Sequence, residues 1–221
     1  MLDRKQRYLQ IAFNYDVGLV RRVLPTIVRS ERILIEAGTP YIKREGVAGI
    51  RAIRRLWQGQ IVADLKTADG ALGEVNMAQA AGATAATVLG SSPSEALDLF
   101  IARCAALGMV SMIDMLGVMD PLRTVMRLKK PPDVVVLHRG RDEEGTRGKV
   151  IQYRHVNRLR SKYSMLISAA GGVDLKEARS AIFNGANIVV ANLVRPGDEW
   201  TGISTDSDVG AMAQQFLATI E

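Results

Sequence analysis

Asn14, Glu36, Asp64, Lys66, Asp114 and His138 have side-chain types and spacings that could do chemistry together. Asp64 and Lys66 stand two apart in Val62-Ala-Asp-Leu-Lys-Thr-Ala-Asp69. On an extended chain, residues two apart point the same way. A carboxylate beside an ammonium keeps the lysine charged. A charged lysine then stabilises an anion developing on a substrate, such as an enediolate. Asp69 follows three residues on, as a helix N-cap or as a further catalytic group. Glu36, in Glu36-Ala-Gly-Thr39-Pro40, supplies a second carboxylate. Glu36 and Asp64 together make a hard-ligand Mg2+ site, completed by waters and substrate oxygens. The alternative is a plain Glu36–Lys66 pair. His138, in His138-Arg-Gly-Arg141-Asp142, is an acid or base near neutral pH, and Arg141 can hold a phosphate. Ala170-Gly171-Gly172 offers backbone N–H groups to a phosphate. His155 lies in a basic helical stretch and reads as a surface residue.

These residues need elements to position them. Short β-rich runs alternate with amphipathic stretches at a period of about 25 residues, the size of one βα unit. The predicted strands are Leu9–Phe13, Arg32–Glu36, Ile61–Leu65, Ala85–Leu89, Val110–Asp114, Asp133–His138, Met165–Ala169 and Ile188–Asn192. Predicted helices include Tyr41–Leu56, Ala71–Ala81, Ser94–Leu107, Pro121–Lys129, Leu175–Phe183 and Asp206–Ile220. Pro93, Pro121 and Asp206 suit helix starts, and Gly82, Gly108 and Gly185 suit helix ends. Eight such units predict one (β/α)8 TIM barrel over residues 1–221. The competing doubly wound sheet calls for Gly-x-Gly-x-x-Gly after its first strand, where this chain has Asn14-Tyr-Asp-Val-Gly. Alternation puts Ala12 with Asn14, Leu34 with Glu36, Val62 with Asp64 and Lys66, Met112 with Asp114, and Val136 with His138. Each polar residue ends its strand, and in this barrel active sites sit at the C-terminal ends.

Composition narrows the classes. Of 221 residues, 48% are hydrophobic and 24% charged, which excludes disorder and collagen-like structure. No apolar run approaches the roughly 20 residues that span a bilayer. The charged N-terminus does not read as a signal peptide, so the expected location is cytoplasmic. One cysteine, Cys104, and two histidines exclude a disulfide framework and a soft-ligand metal site. A net charge of +6 suits nucleic acid or anionic small molecules. Aromatics at 5%, with no basic stripe that interleaves them, argue against a nucleic-acid partner.

Several segments together resemble 3-hexulose-6-phosphate synthase. They are Ile35-Glu-Ala-Gly-Thr-Pro-Tyr-Ile-Lys-Arg-Glu-Gly46, Val62 to Asp69, Thr87-Val-Leu-Gly90, Met112-Ile-Asp-Met-Leu-Gly-Val118 with Asp120-Pro121, and Ala169-Ala-Gly-Gly172. That enzyme belongs with 3-keto-L-gulonate 6-phosphate decarboxylase in the orotidine 5′-monophosphate decarboxylase superfamily. The resemblance implies a dimeric barrel that joins formaldehyde to ribulose 5-phosphate through a Mg2+-stabilised enediolate. By the same resemblance Glu36 and Asp64 are metal ligands, Lys66 stabilises the enediolate, Asp69 serves the neighbouring subunit's site, and His138 is the active-site histidine. Asn14, Thr39, Asp114, Arg141, Gly171, Gly172 and Arg195 are the candidate substrate contacts.

The chain departs from the resembling pattern at three places. Asn14 stands where that family ends its first strand in Asp. The eighth strand ends Ala191-Asn192-Leu-Val-Arg195 in place of a glycine-containing pair, with Arg195 available to take over the phosphate. Arg195-Pro-Gly-Asp-Glu-Trp200-Thr-Gly makes a long last loop. His138-Arg-Gly-Arg-Asp142 is closer to the decarboxylase's pattern than to the synthase's. The alternatives are therefore a decarboxylase-like or other sugar-phosphate lyase, a phospho-ligand binder without turnover, and a nucleic-acid binder suggested by charge alone.

Overall fold

The computed structural model describes residues 2–146 and 149–221. Its strands are β1 (Tyr8–Phe13), β2 (Ile33–Ala37), β3 (Gln60–Thr67), β4 (Ala85–Leu89), β5 (Val110–Asp114), β6 (Val134–His138), β7 (Leu166–Ala170), β8 (Ile188–Val194) and the two-residue β9 (Ile203–Ser204). Neighbours in sequence pair in parallel from β1 to β8, and β1 also pairs β8, which closes the sheet. Helices α1 (Val17–Val23), α2 (Thr39–Leu56), α3 (Ala71–Ala80), α4 (Ser94–Ala106), α5 (Pro121–Val125), α6 (Arg154–Arg160), α7 (Leu175–Phe183) and α8 (Val209–Thr219) follow the eight barrel strands in turn. This is the expected (β/α)8 TIM barrel. No helix among the described residues is long and apolar enough to cross a membrane.

The barrel exists because each strand is apolar on both faces. Outward residues such as Leu9, Ile11, Ile35, Ile61, Ile113, Val135 and Ile167 join the helices in one core, with Tyr41, Phe100 and Phe216 fully buried there. Inward residues, among them Tyr8, Ala12, Leu34, Val62, Met112, Val134, Val136 and Val190, fill the barrel interior. A closed parallel sheet buries both faces in this way. The pairs predicted from alternation hold: the apolar member of each lies inside the barrel.

Some local expectations need correction. Asp206 does not start the last helix; Asp208 is the N-cap, its side chain accepting from Ala211 N at 3.0 Å. α5 stops at Val125, four residues short of the predicted end, and continues as turns. Asp69 does not cap α3, since Gly70 holds that position. His155 is not on the surface. It is 3% exposed, because α6 turns His155, Val156 and Leu159 to one buried face. Burial, helped by Arg154 and Arg158, lowers the pKa of this histidine. Gly82, Gly108 and Gly185 do follow helix ends, each with positive φ.

Candidate active site

The C-terminal ends of the strands surround a cavity of about 450 Å³. Its lining includes Asn14, Glu36, Thr39, Asp64, Lys66, Asp114, His138, Arg141 and Gly171. Nine of the predicted site residues therefore meet at one mouth. Asp69, Gly172 and Arg195 do not line it.

At the centre is a row of alternating charges. Lys66 Nζ lies 2.7 Å from Asp64 Oδ2 and 2.9 Å from Asp114 Oδ2. His138 Nδ1 lies 2.9 Å from Asp114 Oδ2 and 3.0 Å from Oδ1. The Asp114 carboxylate only accepts, so Nδ1 carries the proton and Nε2 is left for a ligand. Burial alone would lower the Lys66 pKa, but Asp64 and Asp114 outweigh it and raise it. Burial would likewise raise that of Asp114, yet His138 and Lys66 bring it down. The pKa of His138 is pulled down by burial and raised overall by Asp114. Asp114 is 2% exposed and also accepts from Leu116 N at 3.0 Å. Its position beneath Lys66 and His138 makes it the anchor of both.

The backbone contributes to this placement. β3 loses regular register against β4 between Ala63 and Thr67, a bulge of the kind that re-aims a side chain. Lys66 has φ +46° and is the one non-glycine with positive φ among the described residues. Such a conformation costs of order 1–3 kcal/mol and concentrates at functional sites. Its N–H donates to Thr87 Oγ1 at 2.9 Å, while the Thr87 hydroxyl lies 2.7 Å from Asp64 Oδ1. Thr39 Oγ1, in the first turn of α2, lies 2.7 Å from Asp64 Oδ2. Asp64 is thus held by hydroxyls on both sides.

Glu36 is 7% exposed beside this row. Burial and the Asp64 charge raise its pKa to about 7, against a pull in the opposite direction from Lys66 and Gln10. The Gln10 side-chain amide donates to Glu36 Oε2. Gln10 and Thr87 were not among the residues expected at the site, although both line the cavity. Strand alternation would have found them: Gln10 shares a face with Ala12 and Asn14, and Thr87 with Ala85.

The far side of the mouth differs from the simple phosphate cradle expected of Gly171, Gly172 and Arg195. Gly171 and Gly172 have φ of +100° and +65°, and a Cβ on either would collide with Arg139. Only glycine suits both the conformation and the space. Arg139 Nη2 donates to Gly171 O at 3.0 Å. The Glu144 carboxylate comes close to Gly172, so an acidic group borders the glycines. Arg195 turns away: it lies 4.4 Å over the Tyr15 ring and donates to Asp16 Oδ2 at 2.7 Å. Arg141 lies 4.1 Å over the Trp200 ring, which fastens the long last loop beside the cavity. The two unusual asparagines meet each other, Asn14 Nδ2 donating to Asn192 Oδ1 at 3.0 Å.

Comparison with known proteins agrees with this geometry. Residues 17–192 match the model of the orotidine 5′-phosphate decarboxylase / HUMPS family. A relative named bifunctional enzyme Fae/Hps, from Methanothrix thermoacetophila, is 37% identical over 216 residues, covering 97% of this chain and 53% of its own length. The chain spans about half the length of the curated relatives it matches. Two crystal structures of 3-hexulose-6-phosphate synthase are similar. One, from Salmonella typhimurium, gives a TM-score of 0.84 at 24% identity and covers 96% of this chain and 98% of its own. The other gives 0.81 at 25% identity and covers 97% of this chain and 100% of its own. With a family model matched over most of its length and its polar strand ends gathered at one mouth, the chain belongs to the orotidine 5′-phosphate decarboxylase / HUMPS family.

Proposed function

We propose that this chain is a carbon–carbon lyase of the 3-hexulose-6-phosphate synthase type, joining formaldehyde to ribulose 5-phosphate through an enediolate. The observation that carries this reading is the Asp64–Lys66–Asp114–His138 row at the cavity floor. Lys66 places a fixed positive charge where the enediolate oxygens develop negative charge. His138, held by Asp114 at Nδ1, uses Nε2 to take the C1 proton of the sugar phosphate. The carbon so freed forms its bond to formaldehyde, and His138 returns the proton to the new alkoxide. No net proton is exchanged. Arg141 and the Gly171 N–H bind the phosphate end.

Mg2+ is the proposed cofactor. Among the described residues no three or more His, Cys, Asp or Glu gather as a metal cluster, so the chain offers two carboxylates and leaves the rest to water and substrate. Glu36 and Asp64 fit this role in chemistry and proximity, since they stand on the paired neighbouring strands β2 and β3 and both line the cavity. Both Asp64 oxygens already accept from Lys66. The fit therefore requires Lys66 to turn from Asp64 to the substrate while keeping Asp114. Bound there, the cation would supply Lewis-acid stabilisation of the negative charge that grows on the substrate.

The second reading, a decarboxylase acting on 3-keto-L-gulonate 6-phosphate or a related sugar-phosphate lyase, draws on His138-Arg-Gly-Arg-Asp142 and on the Asn14–Asn192 pair at the mouth. Assays of ribulose 5-phosphate with formaldehyde and of ketogulonate 6-phosphate, each with Mg2+ and with EDTA, separate the two. Turnover of the first substrate pair that survives excess EDTA would remove the metal from the proposal. Turnover of ketogulonate phosphate alone would replace the synthase reading.

A homodimer with shared sites accounts for Asp69, which is exposed between β3 and α3 and lies outside its own cavity lining. Leu72 on α3 and Leu99 on α4 are about half exposed nearby, apolar surface suited to a second copy. Lys66→Ala and Asp69→Ala homodimers are expected to be nearly inactive. Randomly remixed in equal amounts, they should regain about a quarter of wild-type activity, because half the dimers are mixed and each has one intact site. A monomer in sedimentation, or no recovery after demonstrated exchange, rules out the shared site.

A further inference from the structure

Gln10 is a polar residue that the fold itself does not require. Alternation along β1 turns it into the barrel between Tyr8 and Ala12, opposite Leu34 on β2 and Val190 on β8. It is 3% exposed and lines the cavity. Its Nε2 donates to Glu36 Oε2, which fixes the amide orientation, since the reverse would set two oxygens against each other. Gln10 Oε1 is then buried with no hydrogen-bond partner among the described residues. An unsatisfied buried polar atom costs about 1–3 kcal/mol, whereas an apolar side chain of similar volume would avoid that cost. Its neighbours on its own strand, Tyr8 and Ala12, and those opposite it, Leu34 and Val190, are all apolar, so packing around it gives no reason for an amide here.

We propose that Gln10 belongs to the cation site, holding Glu36 through Nε2 and offering Oε1 as a further oxygen that would help hold the cation. The proposal rests on the Mg2+ reading above. An amide carbonyl is a hard oxygen ligand of the kind such cations take, and two carboxylates alone leave most of a six-oxygen shell to be filled. A partner that orients a ligating group typically changes metal affinity by about 10–100-fold when removed. The side chain would thus be unsatisfied without the cation and satisfied with it.

The test uses Mn2+ as the probe, without substrate, in wild type, Gln10→Leu, Gln10→Met and Glu36→Gln. Free Mn2+ is counted by electron paramagnetic resonance, and urea unfolding is followed separately in EDTA. Gln10→Leu or Gln10→Met should weaken Mn2+ binding by about 10–100-fold. The same variants should unfold in EDTA at about the same urea concentration as wild type, because relief of the unsatisfied Oε1 offsets the loss of the Nε2 donor to Glu36. A purely structural role predicts the reverse: lost stability with affinity unchanged. Equal Mn2+ affinity in wild type and both Gln10 variants overturns this inference and leaves the metal reading standing. Failure of both variants to fold also overturns it, since the amide would then serve the core. No Mn2+ binding by wild type up to millimolar concentration overturns both.

Discussion

Lys66→Met is expected to lower kcat by about a thousandfold or more, the loss seen when one preorganised donor to a developing oxyanion is removed, with the ammonium's charge adding to it. The same change destabilises the fold. Asp64 and Asp114 would lose the cation that lies within 2.9 Å of both. Breaking a buried pair costs about 3–5 kcal/mol when nothing else holds the charge. Here Thr39 and Thr87 still donate to Asp64, and His138 and Leu116 N to Asp114, so a loss of about 2 kcal/mol is expected at pH 8. The sign with pH follows from Asp114. Its folded pKa lies below the unfolded one, so its contribution is present above the unfolded value and is lost as pH falls through the folded one. Part of that contribution comes from Lys66. The difference in stability between wild type and variant should therefore narrow from pH 8 toward pH 3 in urea titrations. Retention of kcat within tenfold of wild type would falsify the assignment of Lys66 to the reacting anion.

Glu36→Gln should do two opposite things. It removes the carboxylate assigned to the cation and is expected to cut activity by about a thousandfold. Without divalent cation it should also make the protein more stable at pH 8. The folded Glu36 pKa is raised from its ordinary 4.5 to about 7, chiefly by burial and then by Asp64. A group shifted in this direction favours folding when protonated, so its contribution is present at pH below the unfolded value. That contribution is lost as pH rises through the folded value. At about 1.4 kcal/mol per pH unit, wild type gives up about 3 kcal/mol between pH 4 and pH 8 from this residue, and the neutral glutamine does not. Urea unfolding in EDTA at both pH values measures the difference. Equal stability of the two proteins at pH 8 would show that the buried charge is already compensated within the chain. Added Mg2+ should stabilise wild type at pH 8 and leave Glu36→Gln unchanged.

The sequence made most of the barrel and the central row legible, because both depend on short-range periodicity. An alternation of two puts Ala12 with Asn14 and Val62 with Asp64 whatever the rest of the chain does. The same rule reaches Gln10, one step deeper than the strand end, where an amide amid apolar neighbours gives no local signal of its role. The residues that eluded the sequence depend on contacts across long separations. Arg195 reads as a phosphate ligand from its place after β8, yet Asp16 and Tyr15, nearly the whole chain away, capture it. Asn14 and Asn192 each look like isolated departures, and only the closure of β1 on β8 shows them to be a pair. His155 reads as a surface residue from the charge of its stretch, yet it shares a helical face with Val156 and Leu159 and is buried with them.

The join between β1 and β8 also sets an order of assembly. Glu36, Asp64, Asp114 and His138 come from strands that follow one another along the chain, so the charged row can form from locally connected βα units. The Asn14–Asn192 bond spans 178 residues and the Arg195–Asp16 pair 179, and neither can form until the sheet becomes a ring. Such distant contacts bear the largest loop-closure entropy and come late in folding. Until then β1 and β8 are open edges able to pair with another chain. In a refolding experiment with pulsed hydrogen exchange, amides of β3 to β5 should gain protection before those of β1 and β8. The cavity therefore acquires its charged floor first and its asparagine rim last, and the interval between the two is when the chain is most open to aggregation.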